Sequence, residues 1–366
     1  MASHRACPTA RASGDQLSGQ SSGPGIREAS WAQRYGLPTV GDLTVEEFVP
    51  DPMVVNGWSH TSTSASGIGL AYLLAATAMG SPVGLPLKFE LIRLEVDLVD
   101  RLVDCPVNGA LRLRAEGTHA SLHLRRLASE AIGVSTAALL AHLRHGWNPL
   151  AGWPVDVDLP PVGAGIRPDL IFPIGQVQVA GEGRGRSQGR QVRRVTQSQK
   201  HKLAGLSQWS LCHNNMKVFM SWAWSNFATT RVDYFDPGEP SEVVPRSELI
   251  GSMRRQSEQL YVAARESGAS SHRLRQVPVL GDWLTGPGRA DQEIFLGVAE
   301  PEEIDYETAT ESTPRDPSKG SRETSAIFME PVAQVGPLVT AVRPRGSDRG
   351  LAVLADDVDE AREGRS

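Results

Sequence analysis

The chain has 366 residues, 40% of them hydrophobic, and a net charge of −5. That is room for one large or two ordinary domains and enough apolar side chain for a core, which excludes a fibrous or wholly disordered protein. The start of the chain lacks an apolar leader-like run, Gly67 to Met79 is shorter than the roughly 20 residues a bilayer span needs, and Cys7, Cys105 and Cys212 are scattered. The expectation is a soluble, reduced, cytoplasmic protein with no disulfide framework and no membrane partner. Only 5 of its 37 basic residues are Lys. That skew is the codon-usage signature of a GC-rich genome, and a bacterial source is the expectation, so an Arg cluster by itself is weak evidence of a nucleic-acid site.

Taken in chain order, residues 1–30 are Ser/Gly/Ala/Arg-rich and read as a disordered tail. Residues 31–150 read as an α/β part. Within it, Gly67–Met79 is a buried helix with Ser/Thr-rich 59–66 as its cap, Val83–Glu90 and Leu94–Val99 are strands, and alternating Ala110–Gly117 is a half-buried strand. A helix follows over about 122–145, with Leu124, Leu127, Ala131, Val134, Ala138 and Ala141 at helical spacing. Residues 151–240 open on a Pro/Gly-rich connector. Strands follow near 169–173 and 176–182, then a helix near 190–210 and strands at Lys217–Trp224 and Thr230–Phe235. Residues 241–300 hold an amphipathic helix over 246–265 and a short strand at 294–298. Residues 301–366 read as mostly flexible, apart from a short strand at 335–342. The fold class is α/β, a mixed central sheet flanked by helices, with disordered tails.

The chemistry concentrates in Arg167–Arg186, RPDLIFPIGQVQVAGEGRGR. Side chains alternate faces along a strand, so Val177, Val179 and Gly181 fall on one face and Gln178, Ala180, Glu182 and Arg184 on the other. If the Asp169 strand lies beside this one, Asp169 sits one strand spacing, about 4.8 Å, from Glu182's strand. Two converging carboxylates make a hard-oxygen site that suits Mg²⁺, which takes one or two carboxylates and keeps waters and phosphate oxygens. A neighbouring cation binds the phosphate or stabilises charge developing on it.

Pro168-Asp169, twelve intervening residues, then Glu182-Gly183-Arg184 resembles the PD-(D/E)XK, or restriction-endonuclease-like, nuclease superfamily over about residues 120–220. The resemblance implies a restriction-endonuclease-like core and metal-dependent phosphodiester hydrolysis. Asp169 and Glu182 would be the metal ligands, and Arg184 would stand where the family's catalytic Lys usually is. Arg does not give up its proton, so Arg184 suits phosphate clamping better than water activation. The family also draws a Gln or Lys from the following helix, which points to Gln197 and Lys200.

From Gly183 to Val232 there is no Asp or Glu, whereas the same fifty residues hold nine Arg or Lys. Arg186, Arg190, Arg193, Arg194, Gln197 and Lys200 are the candidate nucleic-acid contacts, on a helix that starts beside Glu182 with Val192, Val195, Leu203 and Leu206 inward. Glu116, His119 and His123 are a weaker metal candidate at a strand–helix junction, and Glu130 a supporting carboxylate behind Asp169. Trp222 and Trp224 are expected in the core. The leading expectation is a Mg²⁺-dependent nuclease acting on DNA or RNA. Its rivals are an inactive nucleic-acid-binding relative and a scaffold or partner-binding protein. A plain structural reading of the same segment has an ordinary surface strand whose Glu182 and Arg184 are solvated or paired with neighbours.

Overall fold

Ten residues, Val177–Arg186, alternate as the sequence predicts and form the strand around which the rest is arranged. A computed structural model describes residues 41–80, 88–105, 109–115, 119–151, 166–175, 177–188, 194–236, 246–274, 277–284, 292–307 and 332–344. The readings made above on 1–30, Glu116, Arg190, Arg193 and most of 308–366 lie outside the described residues.

In chain order the strands are β1 (Gly41–Asp51), β2 (Gly57–Ile68), β3 (Val103–Asp104), β4 (Gly109–Ala110), β5 (Arg112–Leu113), β6 (Leu170–Ile174), β7 (Val177–Arg186), β8 (Lys217–Ser225) and β9 (Thr230–Phe235). They are followed by β10 (Ser270–Leu274), β11 (Val277–Leu284), β12 (Gln292–Ala299), β13 (Val332–Val335) and β14 (Leu338–Pro344). The helices are α1 (Leu70–Gly80), α2 (Lys88–Leu102), α3 (Leu122–His145), α4 (Gln197–Cys212) and α5 (Arg246–Glu266). The main sheet runs β2-β1-β9-β8-β7-β6, with β4 paired to β1. It is mixed: β6–β7 and β8–β9 are antiparallel, while β7–β8 and β1–β9 are parallel. The parallel β7–β8 pair is joined through α4, the helical crossover that a parallel connection needs.

Helices cover both faces of this sheet. On one side α4 buries Leu203, Leu206 and Trp209 against Ala180, Met220, Trp222 and Trp224. On the other, α3 lies on β7 and β8, and α1 stacks behind it. Every residue from Leu70 to Met79 is buried, as a helix apolar on all sides requires, and the Thr77 hydroxyl is satisfied by the Leu73 carbonyl. Its far side meets a second, antiparallel sheet, β10-β11-β12-β14-β13, and Thr340 Oγ1 donates to the Ala71 carbonyl across that contact at 2.5 Å. One continuous apolar core therefore runs through both sheets.

Three sequence readings are corrected. Lys88–Leu102 is a helix where strands were expected at Leu94–Val99 and the end of Val83–Glu90: Phe89, Ile92, Val96 and Val99 are buried at spacings of three and four, and 83–87 lie outside the described residues. The Ser/Thr-rich 59–66 segment is no cap but the body of β2, paired along its length with β1. It lacks an apolar alternation because it is the sheet's edge strand, with 59–63 all exposed. Ala110–Gly117 yields only the short β4 and β5, separated by buried Leu111.

Candidate active site

The glycines of Glu182-Gly183-Arg184-Gly185-Arg186 have a packing cause. A Cβ on Gly183 would stand 2.7 Å from the Gly133 carbonyl oxygen, and one on Gly185 only 1.5 Å from the Ser129 carbonyl oxygen. Helix α3 thus rests backbone-to-backbone on the glycine face of β7. The opposite face, by strand alternation, carries Glu182, Arg184 and Arg186 toward α4.

Asp169 precedes β6 and continues its register. Leu170 pairs with Gly181, so Asp169 comes opposite Glu182. Its N–H donates to the Gly181 carbonyl at 3.0 Å, and its Oδ2 accepts from the Gly183 N–H at 2.9 Å. The placement conditional on β6 lying beside β7 is met. Glu182 is 0% exposed, so the reading of a solvated surface carboxylate does not hold, whereas pairing with neighbours does. Arg184 Nε pairs with Glu182 Oε1, and Lys202 Nζ lies 2.9 Å from the same oxygen. Glu182 Oε2 is buried and has no hydrogen-bond partner among the described residues.

Burial pushes the Glu182 carboxyl up to about 8, and the Asp169 charge adds to the rise; Arg184 and Lys202 only partly offset them. Burial likewise raises Asp169, against the pull of Arg184 and the Gly183 N–H. Desolvation works against the Arg184 charge, but Glu182 and Asp169 outweigh it and hold the guanidinium protonated. The pair of carboxylates is therefore short of positive charge even with two cations beside it.

Two spaces meet at Arg184. A cavity of about 180 Å³ lies on the α3 side, lined by Thr77, Glu95, Glu130, Asp169, Gly183 and Arg184 among others. A more open groove of about 510 Å³ lies on the α4 side, lined by Arg126, Arg184, Arg186, Gln197, His201 and Lys202 among others. Arg186 sits over the Trp222 ring, 5.1 Å from its centroid. Trp222 and Trp224 are buried, as expected of core residues. Glu130 accepts from Arg126 Nε at 3.0 Å and faces the first cavity with Asp169.

The structure thus brings together Asp169, Glu182 and Arg184, with Arg186 and Gln197 on the rim of the groove. Lys200 and the exposed Arg194 line neither space. Arg190 and Arg193 lie outside the described residues. Among the described residues no three His, Cys, Asp or Glu side chains gather as a metal-holding group, His119 and His123 included.

Sequence reasoning missed Lys202 and Gln199. It started the helix near 190 and turned Lys200 toward the site. The helix begins at Gln197, behind an N-cap at Thr196 whose side chain accepts from the Gln199 N–H. Gln199, Leu203 and Leu206 are buried, and Lys202 falls on the same inward side, its side chain 13% exposed. The Thr196-Gln197-Ser198-Gln199 pattern is a capping box legible in the sequence, and it would have set the phase of the helix.

No protein-family model matches the chain, and no curated protein or solved structure matches it either. Among the described residues no helix is long and apolar enough to cross a membrane.

Proposed function

We propose that this protein is a metal-dependent nuclease that hydrolyses phosphodiesters of DNA or RNA at the Asp169–Glu182 site. The observation that carries the reading is Glu182: a carboxylate at 0% exposure, opposite Asp169 on the adjacent strand, with one oxygen between Lys202 and Arg184 and the other without a partner among the described residues. Buried carboxylates with a raised pKa concentrate at functional sites, which is what supports the reading.

The donor set fits a small divalent cation. Two hard carboxylates on adjacent strands and an unpartnered buried oxygen suit Mg²⁺, which binds through one or two carboxylates and fills its remaining positions with water and phosphate oxygens. Asp169 and Glu182 would hold it, and when bound it would polarise the phosphate and acidify a water. The chain's own residues supply the rest. Arg184, spanning cavity and groove, offers its guanidinium fork to a phosphate. Lys202, which unlike Arg can shed its proton, stands against Glu182 where a proton must move. Arg126 and Arg186 line the groove along which a polyanion would run. Lys202 answers the objection raised by Arg184: the ammonium comes from α4 instead of β7.

The test is cleavage of single- and double-stranded DNA and RNA by the folded chain in Mg²⁺ or Mn²⁺. Glu182→Gln and Asp169→Asn should each lower the rate by orders of magnitude, because metal polarisation contributes several kcal/mol. Binding of the polynucleotide should hold or tighten, since a negative charge beside the phosphates is removed. No cleavage by wild-type protein on any of the four substrates would end the nuclease reading. Salt-dependent binding without cleavage would leave the inactive nucleic-acid-binding relative, and absence of both a scaffold.

A further inference from the structure

Helix α4 carries Lys202 to Glu182, and one buried side chain on the sheet holds the first turn of that helix. Asp233, on β9, is 0% exposed. Its Oδ2 accepts from Gln199 Nε2 at 2.7 Å and from Trp224 Nε1 at 2.9 Å. Gln199 is also the third residue of the capping box. Its Oε1 accepts from the Thr196 N–H at 2.8 Å and from Thr196 Oγ1 at 3.0 Å, while its own N–H donates to Thr196 Oγ1 at 3.3 Å. The amide of Gln199 thus bridges the two, its oxygen to the helix cap and its nitrogen to the sheet. Lys202 lies three residues on, and residues three apart share a helix face. The Asp233 tie and the Lys202–Glu182 pair are therefore two fastenings of the same helical turn, one on β9 and one on β7.

We propose that Asp233 is a positioning residue: through Gln199 and the capping box it fixes the start of α4 so that Lys202 Nζ is held against Glu182. Packing alone does not account for it. A helix cap completes itself with Thr196 and Gln199, and a Leu at 233 would suit the apolar surroundings of Trp224 and Phe235. A buried carboxylate instead adds two directional bonds at the cost of its own desolvation. That exchange sets an orientation, which is what an ammonium required at one atom needs. The consequence for catalysis rests on the nuclease reading; the consequence for Lys202 does not.

The experiment separates the two. Amine acylation of the full-length protein, followed by mass spectrometry, reads the reactivity of each Lys. Lys217 is the control, being equally shielded (14% exposed against 13%) and equally ion-paired, with Asp236, but carried on β8. Asp233→Leu should raise the labelling of Lys202 severalfold while leaving Lys217 and Lys200 as in wild type. Asp233→Asn, which keeps an oxygen where Oδ2 stands, should restore the wild-type pattern. The double variant Asp233→Leu/Gln199→Leu removes the Gln199–Asp233 bond from both ends, and because it also takes the acceptors from Trp224 Nε1 and the Thr196 N–H, its fold is checked by far-UV circular dichroism before labelling. It should still show the exposed Lys202. In cleavage assays kcat should fall by about 10²-fold, the lower end of what a positioned proton-transfer group supplies, with KM nearly unchanged. In a Lys202→Ala background Asp233→Leu should have no further effect on kcat. Unchanged Lys202 labelling in Asp233→Leu, or labelling that rises in step at Lys217, would overturn the proposal whether or not the protein cleaves. Absence of wild-type cleavage alone would overturn the nuclease reading and leave the labelling result to decide the positioning.

Discussion

Replacing Gly185 by Ala puts one methyl group where α3 meets β7. The added Cβ would stand 1.5 Å from the Ser129 carbonyl oxygen, 2.1 Å from its carbon and 2.6 Å from the Glu130 nitrogen. Ordinary contact begins at 3.4 Å, so helix and strand must part by 3.4 − 1.5 = 1.9 Å at that point. Both surfaces are backbone, and no rotamer change relieves the clash. Overpacking of a well-filled core costs about 1–3 kcal/mol and more where relaxation is blocked, so a loss of about 3 kcal/mol or more is expected. Gly183→Ala, at 2.7 Å from the Gly133 carbonyl oxygen, should cost less. Gly181→Ala should cost least, because it meets the far ends of the Phe172 and Phe219 rings at 2.6 Å. The control is Gly251→Ala inside α5, whose Cβ would meet only Arg255 Nη1 at 3.5 Å. It should gain about 0.8–1 kcal/mol from helix propensity. Urea unfolding followed by far-UV circular dichroism measures all four. A Gly185→Ala midpoint within about 0.5 kcal/mol of wild type, the range of an inert surface change, would refute the backbone-on-backbone packing of α3.

Two pH effects follow from buried groups, with opposite signs. Glu182 rises from an ordinary 4.5 to about 8 on folding, so the native state keeps a proton that the unfolded chain has released. Its contribution to stability is full below 4.5 and is lost as pH rises through 8. A cation competes with that proton, so the Mg²⁺-induced rise in Tm should grow with pH across this window and vanish in Glu182→Gln; a pH-independent rise would place the ion elsewhere. His145 falls from 6.5 to about 4, chiefly because it is buried. There it shares a hydrogen bond of 2.7 Å with the Tyr234 hydroxyl. The unfolded chain takes up a proton that the folded one refuses, so stability is lost as pH falls from 6.5 toward 4. His145→Gln should remove that part of the acid slope, read as the difference in Tm between variant and wild type across the same pH range; parallel curves would refute it.

The sequence by itself determined the local matters. The period-2 alternation of 177–186 placed Glu182 and Arg184 on one face, because strand geometry leaves side chains no other choice. The helical spacing over 122–145 marked α3, and the structure adds its ends, a Ser121 cap and Gly146 in a left-handed conformation. What the tertiary structure decided is everything that needs two distant segments to meet. The glycines at 183 and 185 are legible as glycines, but only the approach of Ser129 and Gly133 says why no side chain fits there. The strands β1 and β2 escaped notice because an edge strand need not alternate, and a shift of register at Glu47/Phe48 breaks the phase of what alternation there is. Lys202 reaches Glu182 because it lies beside buried Gln199, Leu203 and Leu206 on the side of α4 that meets the sheet, and only the packing of α4 against β7 shows that this side holds a charge partner. Successive helical side chains differ by about 100°, so Lys200 and Lys202 point to different sides of α4 although both lie in the same predicted helix. The fold class therefore follows from the apolar pattern, and the identity of the ammonium beside a buried carboxylate does not.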